Sequence, residues 1–369
     1  MFVQARNNHN SSSDIDKPIP RIAGVDYFCG AGGLTCGLQQ SGIEIVAGID
    51  NDANCAFAYE TNNSSIFINK KIEDINTDKI KAFLDEPQYS LLCGCAPCQA
   101  FSSINQKASN SDHRWYLLTH FAKQIEGCLP DFVIMENVPG IQDKDVFLSF
   151  CNSLKGLGYF ISYSVVNCAD FGIPQKRKRL VLFASKHGII PPLNCADSNY
   201  PAVTVRDAIG SLPKLNAGSC DTNDRLHFSS KLSEKNLKRI KASTPGGTWR
   251  SWDTELLLTC HSNDTGDGYG AVYGRMEWDK AAPTITTQFY NYGSGRFGHP
   301  EQNRALSFRE GALLQTFPSD YAFFDSSHPI GRKELGRLIG NAVPVKLGKI
   351  IGDHLLRHCR EINSIQQTT

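Results

Sequence analysis

The chain has 369 residues, of which 41% are apolar and 20% charged, the composition of a folded globular protein. Its formal net charge is +1, and no apolar run approaches the roughly 20 residues that a membrane span needs. The polar N-terminus lacks the apolar stretch of a secretory signal, and 13 scattered cysteines do not resemble a disulfide framework. Membrane, secreted and fibrous classes are excluded, and we expect a cytoplasmic protein.

Short β-rich runs alternate with helical stretches from residue 21 to residue 185. The predicted strands are Ala23–Tyr27, Ile43–Ile49, Ser90–Leu92, Phe132–Met135, Ile161–Val166 and Leu180–Ala184. Helices are predicted over Leu34–Ser41, Ala53–Thr61, Trp115–Gly127 and Val146–Gly156. This alternation predicts an α/β fold, in which helices cover both faces of a parallel sheet.

The pattern changes at residue 186. Residues 186–290 are rich in Gly, Pro, Ser, Thr and Asn, with one clear helical stretch, KLSEKNLKRIKAS, which predicts a second domain of lower regularity. Helical periodicity resumes in SFREGALLQTFP and in the segment that begins at Gly331. Residues 170–250 carry 14 Lys and Arg against 6 Asp and Glu, so this region is either a polyanion-binding face or a solvated basic surface.

A glycine-rich turn follows the first predicted strand and precedes a helix. Its glycines allow a tight turn and a close approach of a ligand to the backbone at a helix N-terminus. The spacing Phe28-x-Gly30-x-Gly32-Gly33 is not that of the dinucleotide-binding motif, and a plain strand–helix turn is the alternative. Asp50 ends the second strand, where an acid can bind ribose hydroxyls.

Cys98 follows the strand Ser90–Leu92, and parallel sheets bind ligands at the carboxyl ends of their strands. Pro97 stiffens the loop and could hold the thiol in one place. A small buried cysteine is the alternative. A zinc site with Cys93 and Cys95 is disfavoured, because no second Cys/His pair with ligand spacing follows, and we expect no metal.

Glu136 comes one βαβ unit after Cys98, which predicts that the two lie on neighbouring strand ends. An acid there is either a general acid or hydrogen-bond partner, or a surface carboxylate. The run Gln175–Arg179 begins a strand with alternating cationic side chains. They need an anionic partner, unless the strand is an exposed basic edge.

Five motifs together resemble the DNA cytosine-5 methyltransferases in order and approximate spacing. They are Phe28-x-Gly-x-Gly-Gly, Pro97-Cys98-Gln99, Glu136-Asn137-Val138, Gln175-x-Arg177-x-Arg179 and Gly340-Asn341-Ala342-Val343-Pro344. The resemblance covers roughly residues 21–185 and 275–355. It implies a Rossmann-like class I S-adenosylmethionine-dependent methyltransferase domain with a smaller, irregular target-recognition domain. The expected bounds are a disordered tail over 1–20, the catalytic and cofactor-binding domain over 21–185, the target-recognition domain over 186–330, and a C-terminal helix over 331–369 that returns to the catalytic domain.

The resemblance also implies a role for each motif. The Cys98 thiolate would add to C6 of cytosine, so that C5 can attack the methyl group of S-adenosylmethionine. Glu136 would hydrogen-bond the N3 edge, and Arg179 would hold the base and orient Glu136, with Arg177 acting less directly. The implied cofactor residues are Phe28, Gly30, Gly32, Gly33, Asp50, Asp74, Ile75, Asn341 and Ala342. Asn51 departs from the family, since many relatives have an aromatic residue there that stacks on adenine.

Double-stranded DNA is the implied partner, with the target cytosine swung out of the duplex. Residues 186–275 would contact phosphates and read bases, Asn291–Gly298 would approach DNA closely, and Ser102–Arg114 resembles a mobile loop that closes over the base. We expect a monomer without membrane contacts, paired with a cognate restriction endonuclease. A tRNA methyltransferase is disfavoured, because that branch has a Cys-Phe-Thr element in the recognition region, and none occurs here. A non-catalytic DNA-binding homologue would be indicated by loss of Cys98, Glu136 or Arg179, and all three are present.

Overall fold

A seven-stranded sheet organises the first half of the chain in the computed structural model, which describes residues 20–85, 87–97, 116–197, 200–262 and 270–366. The strands are β1 Ile22–Tyr27, β2 Glu44–Asp50, β3 Ile66–Asn69, β4 Tyr89–Gly94, β5 Phe132–Asn137, β6 Phe160–Asn167, β7 Gln175–Lys176, β8 Lys178–Ser185 and β9 Ala282–Pro283. The large sheet has the order β3-β2-β1-β4-β5-β8-β6, and β7 pairs with β9 in a separate two-stranded sheet.

The sheet is mixed, so the prediction of a parallel sheet is wrong at one strand. β8 runs antiparallel to both of its neighbours, β5 and β6. The connection between β6 and β8 holds a 3-10 helix, Cys168–Phe171, and the two residues of β7, and it is too short for the crossover helix that parallel neighbours require. Each of the six predicted strands coincides with an observed one apart from its ends. β3 was missed because its four side chains are exposed or only half-buried and give no clear apolar run.

Helices cover both faces of the sheet, as the α/β prediction states. They are α1 Gly33–Ser41, α2 Ala56–Asn62, α3 Thr77–Ala82, α4 Tyr116–Cys128, α5 Asp145–Gly156, α6 Val205–Ile209, α7 Glu234–Ala242, α8 Phe308–Leu314, α9 Arg332–Asn341 and α10 Val345–Gln366. Successive side chains of a strand point to opposite faces, and in β4 Leu91 joins the core under α1 and α10, whereas Leu92 joins the core under α4 and α5.

The C-terminal helix α10 lies directly on α1. A Cβ on Gly37 would be 2.2 Å from the carbonyl oxygen of Val345, so the two backbones touch where glycine leaves room. Leu347 and Ile351 of α10 pack in the same core cluster as Leu34 and Leu38 of α1. The C-terminal segment is thereby held beside the glycine-rich turn at the start of α1.

The described residues of the range 186–330 form short helices and 3-10 helices rather than a large sheet. The helix predicted within KLSEKNLKRIKAS is α7, and the Ser233 side chain caps it by accepting from the Asn236 amide. Phe289 and Phe317 from this region share a buried cluster with Ala31 and Cys36 of the first domain. The two regions are therefore joined by a common apolar core. Within the described ranges, no helix is long and apolar enough to cross a membrane.

Candidate active site

Glu136, at the carboxyl end of β5, is the centre of a buried polar cluster. Its side chain is 1% exposed, and its Oε1 lies 2.7 Å from Nε of Arg179 in an ion pair. Its Oε2 accepts from the thiol of Cys95, at 2.6 Å between oxygen and sulfur. No described group donates a hydrogen bond to Oε1, although this oxygen is buried. The charge of Oε1 is balanced by Arg179, but the oxygen accepts no hydrogen bond from a described group, which leaves it available to a ligand.

Arg179 reaches Glu136 because β8 lies beside β5, and Glu136 pairs with Val181 in that ladder. Its Nη1 donates to the carbonyl of Lys178 at 2.7 Å, which fixes the guanidinium over the strand. The anionic partner expected for the Gln175–Arg179 run is therefore Glu136. The alternative of an exposed basic edge does not hold for Arg179, which is 13% exposed.

Arg177 points elsewhere. It is buried and donates to three backbone carbonyls, those of Ile285 at 3.1 Å, Gly340 at 3.4 Å and Ala342 at 3.3 Å. Burial, together with the nearby charge of Arg179, lowers the pKa of Arg177 to about 9. Arg177 thus ties the strand region to the irregular domain and to the C-terminal segment, and its less direct role at the base stays a prediction.

The segment that leads to Cys98 is held from two sides, while Cys98 itself and Ser102–Arg114 lie outside the described residues. The Cys95 amide donates to the carbonyl of Tyr27 at 3.3 Å, and Asn137 Nδ2 donates to the carbonyl of Ala96 at 3.1 Å. Two successive residues at the end of β5 thus contact two successive residues after β4. This fixes the backbone up to Pro97.

The glycine-rich turn has the backbone that its sequence predicts. Gly30 has φ 53° and Gly32 has φ 87°, and Phe28 itself has φ 60°, a conformation that non-glycine residues rarely adopt. The Gly30 amide donates to Asp50 Oδ2 at 3.0 Å, and the Asp52 amide donates to Oδ1 at 2.9 Å. Burial raises the pKa of Asp50, and these two amides oppose the shift.

A pocket opens between the ends of β1, β2 and β4. It is lined by Tyr27, Phe28, Ile49, Asp50, Asn51, Lys70, Lys71, Ile72, Glu73, Pro97, Tyr116 and Leu117. Phe28 and Asp50, predicted as cofactor residues, meet in this pocket. Asp74 and Ile75 follow Glu73 but do not line it, since Asp74 is exposed and Ile75 packs beside the core under α4 and α5. Their contact with a cofactor stays a prediction.

The late motif lies against the glycine-rich turn. A Cβ on Gly33 would be 2.4 Å from the carbonyl oxygen of Val343 and 3.4 Å from Cβ of Ala342. Asn341 ends α9 and is exposed. The structure therefore brings the segment around Ala342 beside Gly33, although neither Asn341 nor Ala342 lines the pocket described above.

Sequence reasoning missed two sets of contacts. The sequence does not predict the contact of Cys95 with Glu136, and among the described residues no group of three His, Cys, Asp or Glu could hold a metal. Arg304 and Glu310 form a fully buried double hydrogen bond, at 2.7 and 2.6 Å. Burial would raise the pKa of Glu310, but Arg304 brings it below the ordinary value. The spacing Ser307-x-x-Glu310 was a readable signal, because it forms the capping box of α8.

The chain matches one family model over most of its length. Residues 22–357 match the C-5 cytosine-specific DNA methylase model. Type II methylase M.HgiDII of Herpetosiphon aurantiacus is 49% identical over 349 residues, covering 93% of this chain and 97% of that protein. Type II methyltransferase M1.BsuMI of Bacillus subtilis (strain 168) is 33% identical over 355 residues, covering 90% and 80%.

Solved structures share the fold at low sequence identity. A prophage-encoded E. coli protein described as a DNA modification methyltransferase has a TM-score of 0.70 at 20% identity, covering 91% of this chain and 99% of its own. The Entamoeba histolytica methyltransferase EhMeth has a TM-score of 0.60 at 14% identity, covering 92% and 99%. The likeness confirms the methyltransferase architecture.

Proposed function

The chain belongs to the C-5 cytosine-specific DNA methylase family and is a DNA cytosine-5 methyltransferase, and from this premise we propose how it works. It methylates a cytosine that is swung out of a specific duplex sequence, through a transient bond between Cys98 and C6. The observation that carries the proposal is the desolvated Glu136 carboxyl, held by Arg179 and Cys95 at the strand end that adjoins the segment leading to Cys98.

The chemistry needs a nucleophile because C5 of an intact cytosine ring is itself a poor one. Addition of the Cys98 thiolate to C6 makes the ring enamine-like, and C5 then becomes nucleophilic. Negative charge develops at N3 during this addition. N3 carries a lone pair and no hydrogen, so Glu136 meets it as the carboxylic acid: a proton taken up from solvent as the base binds sits on Oε1 and is donated to N3. Arg179 stabilises the carboxylate that this transfer leaves behind. Loss of the C5 proton, to water in our proposal, then expels Cys98.

The pocket beside Phe28 fits S-adenosylmethionine. Both oxygens of Asp50 already accept a backbone amide, and each keeps a lone pair for a ribose hydroxyl. Ile72 and Leu117 offer apolar walls for adenine where Asn51 offers none. Gly30 leaves open space beside the backbone for the methionine part, whereas the Cβ positions of Gly32 and Gly33 face Asn63 and Val343 of the protein itself. Gly32 and Gly33 would contact the methionine part through their backbone, and the segment around Asn341 and Ala342 would close that side. Asp74 and Ile75 would contact the adenine edge. When bound, S-adenosylmethionine supplies the methyl group as an electrophile.

The substrate is duplex DNA, and the base must leave the stack before C6 becomes accessible. Lys231, Lys235 and Lys238 are exposed on or next to α7 and support a role for the basic region in phosphate contacts. The two relatives described above are named as Type II enzymes. We therefore place this chain, as a monomer, in a restriction-modification system with an endonuclease that acts on the same sequence.

The test of the covalent step is Cys98→Ser combined with a trapped substrate. Serine keeps size and polarity, but its alkoxide is rarely populated near neutral pH, so methyl incorporation into DNA should cease while cofactor binding by calorimetry persists. Turnover comparable to that of the unmodified enzyme would contradict the proposal.

A duplex with 5-fluorocytosine at the target position provides the second readout. Fluorine cannot leave C5 as a proton does, so the unmodified enzyme should form an SDS-resistant complex with DNA only when S-adenosylmethionine is present. Cys98→Ser should form none. Absence of the complex with the unmodified enzyme, on a duplex sequence that it methylates, would exclude the covalent route.

A further inference from the structure

Cys95 contacts the one carboxylate on which the proposed chemistry depends. Its sulfur lies 2.6 Å from Glu136 Oε2, and its amide is bonded to the carbonyl of Tyr27. The side chain packs against the buried cluster under α1 and α10, so its position is set by the core and not by solvent.

The hydrogen bond has a defined direction. Burial, and then the adjacent Glu136 carboxylate, raise the pKa of the Cys95 thiol well above its ordinary value of 9.0. The sulfur therefore keeps its proton at neutral pH and donates a hydrogen bond to Oε2. A thiol held in this state is a poor nucleophile, and its use here is as a donor.

The two contacts of Glu136 fix the rotation of its carboxyl group. Oε2 is occupied by the thiol, and Oε1 lies beside Arg179 without a hydrogen bond from any described residue. We propose that Cys95 is a positioning residue: its thiol holds Oε2, so that Oε1 is the oxygen presented to the N3 edge of the flipped cytosine. This inference rests on the proposed function, because it assumes that Glu136 meets the base.

The experiment compares Cys95→Ala, which removes the donor, with Cys95→Ser, which keeps one. We expect kcat of the alanine variant to fall about tenfold, the loss typical of one hydrogen bond to a charged group, while KM for DNA and for S-adenosylmethionine stays within twofold. The serine variant should retain kcat within about threefold. Cys93→Ala is the matched control, because Cys93 is buried on the same strand with its sulfur 3.7 Å from the carbonyl of Val25, and its kcat should not change.

A double-mutant cycle separates positioning from packing. In a Glu136→Gln background, Cys95→Ala should cause no further loss of kcat, whereas a packing defect would lower it again. Cys95→Val also lacks a donor while filling the space of the thiol, and it replaces the alanine variant if that variant does not fold. Equal losses in the serine and alanine variants, or an unchanged kcat in the alanine variant, would overturn the inference.

Trapping on the 5-fluorocytosine duplex distinguishes a wrong role of Cys95 from a wrong covalent mechanism. If the unmodified enzyme forms no SDS-resistant complex, the covalent mechanism itself is wrong. If it forms the complex and Cys95→Ala forms it at the same rate, the mechanism stands and the role of Cys95 is refuted. If the complex forms about tenfold more slowly with Cys95→Ala than with the unmodified enzyme, and at an unchanged rate with Cys93→Ala, both the covalent mechanism and the positioning role of Cys95 are supported.

Discussion

Asp26, in the first strand beside the glycine-rich turn, has a carboxyl group that is buried in the protein core. It is 1% exposed, and Thr35 donates to its Oδ2 at 2.7 Å. Burial raises the pKa of Asp26 to about 7, a shift that the Thr35 hydrogen bond only partly offsets. Near neutral pH, the buried carboxyl group of Asp26 is therefore present in both its protonated and its ionised form.

We expect Asp26→Asn to change how stability depends on pH. A carboxyl group whose pKa is raised by folding contributes stability below its unfolded pKa of 3.8, and that contribution is lost as the pH rises to about 7. The loss is at most about 4 kcal/mol over this range, and asparagine, which does not ionise, avoids it. Urea unfolding between pH 4 and 8 measures the difference. A constant gap between the variant and the unmodified protein across that range would contradict the assignment.

The active-site residues differ in how far sequence could predict them. Glu136 and Arg179 were predictable as partners because each belongs to a motif and sits at a strand end. Cys95 was not, because only the pairing of β4 with β5 brings its thiol to Glu136, and no local pattern encodes a contact across strands. Asp74 differs again, since a motif match predicts its cofactor contact, the pocket is lined by its neighbour Glu73, and the role of Asp74 stays a prediction.

Among the elements, the contact between α1 and α10 depends most strictly on residue size. Gly37→Ala would place a Cβ 2.2 Å from the Val345 carbonyl oxygen and 2.6 Å from the Lys349 amide nitrogen. These are backbone atoms that cannot rotate away, so we expect a destabilisation of about 2 kcal/mol or more. Gly156→Ala, at the end of α5, is the control, because nothing lies within 4 Å of its Cβ. Thermal unfolding should show a lower Tm for Gly37→Ala and an unchanged or slightly higher Tm for Gly156→Ala. Equal Tm values for the two variants would mean that α10 moves away from α1 without loss of stability.

Sequence patterns predicted the buried strands well and the sheet direction less well. The buried strand β5 begins with four apolar residues, Phe132–Met135, and such a run is visible in the sequence. The reversal of β8 depends on the length of a connection that contains its own short strand, β7, and periodicity carries no information about direction. The glycines of the segment 291–298 also have a role in packing, because a Cβ on Gly293 would be 2.9 Å from the Tyr273 ring and one on Gly295 2.6 Å from the Phe297 ring. The close approach of this segment to DNA stays a prediction.

At the scale of the whole molecule, charge is divided unevenly between the regions, and we expect the basic region to govern DNA affinity. Changing Lys231, Lys235 and Lys238 together to Gln should weaken binding to all duplexes alike. If each contacts one phosphate, the slope of log K against log salt should become shallower by about three. The control changes three exposed lysines on the helices of the catalytic domain, Lys79, Lys123 and Lys155. An equal effect in both triple variants would indicate general electrostatics and not a defined binding face.

Sequence choice is a separate property of the same region. Replacing residues 186–275 with those of a relative that has a different specificity should change which cytosine is methylated, because base contacts specify and phosphate contacts only position. Bisulfite sequencing of a plasmid exposed to each chimaera gives the result. An active chimaera that still modifies only the original site would move the recognition function to the segment 291–298.

The packing of α10 on α1 also sets an order of events during synthesis. The first helix leaves the ribosome early, yet Leu34 and Leu38 are covered only when Leu347 and Ile351 have been made. Contacts between distant parts of a chain form late in folding, since a long loop must close first. The catalytic domain is therefore complete only when its N-terminal and C-terminal segments have packed together. In a chain that ends before α10, the apolar face of α1 stays uncovered.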